Sequence, residues 1–90
     1  MSWDYRIDPG ALKDLKNLGH DAVEKIRHFL DTRVKGCADP RAFGKPLSGD
    51  LAGYWRYRVA DYRLICRLDK GLLIVTVIKA DHRKQVYKKK

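Results

Sequence analysis

Apolar positions change their period partway along the chain. Trp3-Asp4-Tyr5-Arg6-Ile7 alternates apolar and polar side chains, which predicts a short strand with one buried face. Asp8-Pro9-Gly10 then reads as a helix start, with Asp8 as N-cap and Pro9 in the first turn, where its missing N–H costs nothing. Leu12, Leu15 and Leu18 form the apolar stripe of this helix, and Gly19 ends it. Asp21 with Glu24 three residues on resembles a capping box that opens a second helix. Ala22, Val23, Ile26, Phe29, Leu30 and Val34 recur at helical spacing until Gly36 stops the run. Two amphipathic helices joined by so short a turn predict a helical hairpin with one apolar side.

From Cys37 to Gly53 the chain reads as loop, broken by Pro40, Gly44, Pro46, Gly49 and Gly53. After it the period becomes two. Trp55, Tyr57 and Val59 share one face of a strand over Tyr54–Val59, with Arg56 and Arg58 on the other. Ala60-Asp61 is a tight turn. The next strand, Tyr62–Leu68, places Tyr62, Leu64, Cys66 and Leu68 together and Arg63, Ile65 and Arg67 opposite. Asp69-Lys70-Gly71 predicts a second hairpin turn with Gly71 at positive φ, and the apolar run Leu72–Ile78 predicts a strand covered on both faces. The tail from Asp81 to Lys90 is polar and basic around Tyr87. The predicted fold class is α+β, in the order β-α-α-β-β-β. A helical hairpin packs on one face of a small antiparallel sheet, and residues 1–90 form a single domain.

Charge sharpens this picture because it is unevenly spread. Residues 1–50 carry nine Lys/Arg against eight Asp/Glu, whereas residues 51–90 carry eleven against three. So much unbalanced positive charge costs self-repulsion and points to a polyanionic partner. Tyr54, Trp55, Tyr57, Tyr62 and Tyr87, interleaved with it, point to single-stranded nucleic acid, whose bases stack on rings. A merely soluble basic surface is the competing reading. No apolar run approaches the ~20 residues of a membrane span, and Met-Ser-Trp-Asp-Tyr-Arg does not open as a signal peptide, so the expected home is the cytoplasm, away from membranes. Cys37 and Cys66 make no disulfide framework, and Cys66 reads as a small buried hydrophobe. With His20, His28 and His82 the two cysteines have no metal-ligand spacing, so neither metal nor cofactor is expected.

Arg56, Arg58 and Arg63, facing one way from adjacent strands, form an always-charged array suited to phosphate. The run Tyr54-Trp55-Arg56-Tyr57-Arg58-Val59-Ala60-Asp61-Tyr62-Arg63-Leu64-Ile65, followed by Ala80-Asp81-His82-Arg83-Lys84-Gln85-Val86-Tyr87, resembles the RelE branch of the RelE/ParE toxin superfamily of type II toxin–antitoxin systems. The resemblance runs nearly end to end and includes the Lys45-Pro46-Leu47-Ser48-Gly49 loop. It implies a ribosome-dependent endoribonuclease, an mRNA interferase that cuts translated messenger RNA in the decoding site. The ribose 2′-hydroxyl attacks the adjacent phosphate without a metal, leaving a 2′,3′-cyclic phosphate and a 5′-hydroxyl.

By the same resemblance, Arg56 and Arg58 match the paired basic residues of the family's second strand, Arg63 the Arg of its Tyr-Arg motif, and Arg83 the Arg near the tail. Tyr87 matches the tail tyrosine that stacks on or orients a base, or closes the tail onto the core. Lys45, Arg56, Arg58, Arg63, Lys84 and Tyr87 are the expected RNA contacts, and Arg56, Arg58, Arg63, Arg83 and Tyr87 the expected catalytic set, joined by His82 as acid or base on its near-neutral pKa rather than on the resemblance. Family members often carry lysine where this chain has Arg56 or Arg58. Arginine, with a pKa above ~12, does not give up its proton as a lysine can. The base is then His82, water or the RNA itself. The resemblance further implies translating ribosomes as partner and a cognate antitoxin as inhibitor, an acidic, partly disordered segment that folds as it binds a basic surface. A ParE-like inhibitor of DNA gyrase, a non-catalytic RNA-binding module and an inactive toxin relic are the competing functions.

Overall fold

The structure, a computed structural model, describes residues 2–82. Its first strand, β1, is Asp4–Ile7, and α1 follows at once over Pro9–Leu18. As expected, Asp8 caps α1, its carboxylate accepting the Gly10 N–H at 3.3 Å. The buried stripe of α1 is set by Ala11 and Leu15 with Leu18 at its edge, whereas Leu12 is 40% exposed. Positions 11, 15 and 18 keep the i, i+4, i+7 spacing of one helical face, which Leu12 leaves.

Gly19, at φ 106°, reverses the chain directly into α2, His20–Phe29. Because glycine itself is the N-cap, the Asp21/Glu24 capping box does not form. Asp21 instead accepts a hydrogen bond from the Tyr62 hydroxyl at 2.9 Å and lies 3.5 Å from Lys25 Nζ. The helical pattern continues to Val34, as read from its spacing, but residues Leu30–Val34 form a wider π turn closed by Lys35 N–H donating to Leu30 O at 2.8 Å. Trp3 and Gly36 then tie this end of the hairpin back to the start of β1, through Gly36 N–H to Trp3 O at 2.7 Å.

The long loop contributes a two-residue strand, β2 (Lys45–Pro46), that the breaker pattern had hidden. It is followed by β3 (Tyr54–Val59), β4 (Tyr62–Asp69) and β5 (Ile74–His82). The sheet order is β1-β5-β4-β3-β2, and β1 runs parallel to β5 while every other pairing is antiparallel. The expected antiparallel sheet is therefore mixed. Two hairpins fix the direction of β5, and its free edge takes β1 in the parallel sense, with the helices in the long crossover such a pairing needs. The second hairpin also differs from expectation: Asp69 Oδ1 accepts the Leu72 N–H at 3.0 Å, and Leu73 rather than Gly71 adopts positive φ, 56°. β5 accordingly starts at Ile74, leaving Leu72 64% exposed.

Both helices pack on one side of the sheet. Tyr57, Leu64, Cys66, Val75 and Val77 enter the core from the strands, against Leu15, Ile26, Leu30 and Val34 from the helical layer. Burying each of the larger aliphatics contributes about 1.5–3 kcal/mol. A bulge in β5 sets which of its side chains reach the open face. Ile65 pairs with Lys79 but Cys66 with Val77, so Ile78 is an extra residue that resets the alternation and lets Val75, Val77 and Ala80 all face the helices.

Candidate nucleic-acid interface

The other side of the sheet carries no helix, and its composition follows from register. Arg58 lies directly opposite Arg63, Arg56 opposite Ile65, and Lys45 opposite Arg56. On the far side of β4, Arg63 faces Asp81, Ile65 faces Lys79 and Arg67 faces Thr76, which in turn pairs with Arg6 of β1. Side chains directly opposite one another in a sheet stand about 4.5–5.5 Å apart at Cβ. Lys45, Arg56, Arg58 and Arg63 therefore make one continuous basic patch across β2, β3 and β4, as the alternation in the sequence predicts. Arg67, Lys79 and Arg6 extend it toward β1.

Gly44 is what lets β2 reach this position. A Cβ there would stand 2.7 Å from Tyr57 Cε1 and 2.8 Å from the Arg56 carbonyl oxygen, closer than any side chain tolerates. Glycine thus allows the loop to lie against β3 and sets Lys45 beside Arg56.

None of these cations takes part in an ion pair among the described residues. The ion pairs among the described residues are His20–Glu24, Lys25–Asp21 and Arg41–Asp39, all away from the open face. Arg63 is half-buried on the central strand, and its Nε is buried without a hydrogen-bond partner. A buried donor left unpaired costs about 1–3 kcal/mol, more when charged, so this guanidinium is left incompletely satisfied by the described residues. Ile65 and Thr76, each 9% exposed, are flanked in register by Arg56 and Lys79 and by Arg6 and Arg67. Long basic stems over short central residues are a common way to keep charge in water while covering a sheet face.

The aromatic residues divide differently from the expectation that they stack bases. Tyr57 and Tyr62 are buried on the helix side, where the Tyr57 hydroxyl donates to the Pro40 carbonyl at 2.9 Å and Tyr62 to Asp21. Burial pushes the Tyr57 phenol well above its ordinary pKa. Trp55 packs against the same core, opposite Cys66. Of the strand aromatics only Tyr54 shares the parity of the arginines. Period two sends alternate residues to the core, and large rings are what that core uses.

His82 pairs with Tyr62 across β4 and β5, so it belongs to the helix side, with its ring edge-on to Tyr62 at 5.4 Å and 84°. The structure does not bring it together with Arg56, Arg58 and Arg63. Arg83, Lys84 and Tyr87 lie outside the described residues. Asp81, Arg67 and Lys79 share the open face and were not among the expected site residues. Arg67 was legible from strand alternation, but the facing of Lys79 and Asp81 depends on the bulge at Ile78, which no local pattern announces. Cys66 is fully buried, which raises its thiol pKa and makes it an inert core residue, as expected. No helix of the described residues is long and apolar enough to cross a membrane.

A second concave surface runs between α2 and the end of β3. This open groove of about 1110 Å³ has Val23, Phe29, Phe43 and Val59 among its lining and Lys25, Arg27, Arg33 and Arg58 along its rim, against the single acid Glu24. Arg33 caps the Phe43 ring at 5.8 Å.

Comparison with known proteins places this architecture. Residues 5–87 match the family model of the ParE toxin of type II toxin–antitoxin systems. Toxin RelG of Mycobacterium tuberculosis is 37% identical over 89 residues, covering 99% of this chain and all of that protein. Among solved structures, the toxin–antitoxin complex RelBE2 from Mycobacterium tuberculosis matches with a TM-score of 0.83 and 29% identity, over 92% of this chain and 100% of that one. A mutant of the E. coli toxin RelE in the free state matches in fold, with a TM-score of 0.70 at 24% identity, over 97% of this chain and 92% of that one. With two helices on a five-stranded mixed sheet, an exposed basic face and these relatives, the chain belongs to the ParE toxin family and is a RelE-like toxin of a type II toxin–antitoxin system.

Proposed function

We propose that this toxin is an mRNA interferase that cleaves translated messenger RNA on the ribosome, in the cytoplasm. The observation that carries the reading is the unpaired arginine row of the open face, centred on an Arg63 whose buried Nε has no partner. Cleavage by 2′-hydroxyl attack passes through a pentacoordinate phosphorane with added negative charge. Fixed guanidinium donors that need no reorganisation stabilise that charge more than they stabilise the ground state. Arg63 and Arg58 contact the scissile phosphate, while Arg56 and Lys45 hold the neighbouring backbone. The tail residues Arg83, Lys84 and Tyr87 complete the RNA contacts, Tyr87 by stacking. His82, on the helix side against Tyr62, links the end of β5 to α2 through the Tyr62–Asp21 hydrogen bond.

The antitoxin docks, in this reading, through an acidic amphipathic segment that becomes ordered in the groove between α2 and β3. The apolar lining of the groove takes the segment's apolar side, and the cationic rim takes its carboxylates. Arg58 belongs both to that rim and to the open face, so occupation of the groove competes with RNA.

The test is primer extension on a message translated in a purified system, with wild-type protein and Arg63→Ala. Cleavage within codons only when ribosomes are present, and lost in the variant, is the expected result. Intact transcripts from folded wild-type protein, together with inhibition of gyrase supercoiling, would transfer the toxin to the gyrase-poisoning class. Ribosome binding without cleavage would leave a non-catalytic RNA-binding module.

A further inference from the structure

Arginine is too weak an acid to serve as base in the proposed cleavage, and His82 stands on the other side of the sheet. The open face nevertheless carries a proton acceptor. Asp81, Arg63 and Arg58 occupy one row across β5, β4 and β3 in direct register. The geometry points to Asp81 as the proton acceptor for the attacking 2′-hydroxyl, one strand away from the arginine that holds the phosphate. This role rests on the ribonuclease reading.

Three observations support it. First, Asp81 is the carboxylate that shares the row of the arginines. Of the other acids, Asp4 and Asp69 on the same face both pair with Ile74, seven positions back along β5 and so roughly 20 Å away, and Asp61 lies in the β3–β4 turn rather than on a strand. Second, Asp81 and Arg63 are cross-strand neighbours yet form none of the ion pairs found among the described residues, and Arg63 Nε stays without a partner. In the proposed pose a phosphodiester lies over this row, with a non-bridging oxygen toward the guanidinium and the ribose toward the carboxylate. Third, the strand end that bears Asp81 is fixed. Ala80 N–H, beyond the reach of β1, donates to Asp14 of α1 at 3.1 Å.

The step balances without a metal or a redox partner. The 2′-O–H proton passes to the Asp81 carboxylate as the 2′-oxygen bonds to phosphorus. The bond from phosphorus to the 5′-oxygen breaks, and that oxygen takes a proton from water. Asp81 later returns its proton to solvent. The charged groups around the carboxylate are Arg63 on β4, Arg58 beyond it on β3, Lys79 two residues back on the same face of β5, and Asp14 of α1 at the strand edge.

Asp81→Asn keeps the shape and removes the basicity, and Asp81→Glu restores a carboxylate on a longer arm. Each full-length variant is assayed for single-turnover cleavage on ribosomes programmed with a short message, across a range of pH, after its thermal unfolding has been matched to wild type. The expected result for Asp81→Asn is a maximal rate lower by about 10²-fold or more. Its KM should be unchanged or lower, since a negative charge beside the phosphate has gone. The wild-type rate should rise with pH on the acid side with a slope near one, this limb should vanish in Asp81→Asn, and Asp81→Glu should recover part of the rate. Near-wild-type cleavage by Asp81→Asn, or a loss confined to KM with the pH profile intact, would overturn the role while leaving the ribonuclease reading in place. A wild-type protein that cleaves nothing would remove the reaction itself, and the role with it.

Discussion

The two faces of the sheet are made from the same strands and obey opposite rules. On the helix side, Tyr57, Leu64, Cys66, Val75 and Val77 are each no more than 1% exposed, and the polar atoms there are matched, as in the Tyr57 hydroxyl to Pro40 and Tyr62 to Asp21. On the open side, like charges sit directly opposite each other at Arg58 and Arg63, an arrangement that destabilises a sheet. A buried Nε is left unsatisfied there as well. One face is satisfied within itself, and the other leaves a buried charged donor without a partner among the described residues. A fold that tolerates this conflict on one face alone has separated the stability of the domain from the chemistry of its open face.

Arg63 and Leu64, consecutive on β4 and facing opposite ways, are the sharpest test of that separation. Arg63→Ala should lower the cleavage rate about 10²–10³-fold. Its melting temperature should stay within about 4 °C of wild type. Leu64→Ala should cost about 2–5 kcal/mol of stability in urea denaturation, with the rate per folded molecule retained. If instead Leu64→Ala slowed cleavage by the folded fraction, or Arg63→Ala unfolded the domain, the two faces would not be independent.

Gly44→Ala should fall between the classes, because the added methyl strikes both the core ring of Tyr57 and the backbone of Arg56. A destabilisation of about 1–3 kcal/mol is expected, together with weakened RNA binding as Lys45 moves away from Arg56. Arg58→Ala removes one cation shared by the open face and the groove rim, without touching the core. In titrations of ribosome binding against salt, the slope of log K on log salt should shrink by about one unit, the signature of one lost phosphate contact. An unchanged slope would remove Arg58 from the interface.

The smallest expected effect belongs to the helix side. Partial burial and the hydrogen bond to Asp31 push the Tyr5 phenol from 10.0 up to about 12. A group whose pKa is raised by folding lends stability that is complete below the unfolded value and is lost as pH rises through the folded one. Stability should therefore decline between about pH 10 and 12, and Tyr5→Phe should reduce that decline in an alkaline denaturation series. Tyr57, whose phenol shifts in the same direction, should add to the decline at higher pH.

Much of this was legible along the chain because it is written at short range. The Asp8-Pro9 helix start, the reversal at Gly19, the β3–β4 hairpin and the common facing of Arg56, Arg58 and Arg63 all follow from periods of 3.6 and 2 with their local breakers. Where local signals misled, a distant partner had prevailed. Asp21 was free to serve Tyr62 because Gly19 had already ended one helix and begun the next. Leu12 gave up its place to Ala11 because the stripe must meet the sheet rather than merely exist.

Consecutive residues were enough to place a basic arginine array on one face of a hairpin beneath two helices, since alternation and amphipathic spacing are properties of neighbours along the chain. What stands beside that array was settled by the folded molecule. β1 joins β5 in the parallel sense, the bulge at Ile78 turns Asp81 toward Arg63, and His82 is placed against Tyr62 on the opposite side. Each of these depends on which strand lies next to which and in what register, and register is set by the whole core closing at once rather than by any segment alone.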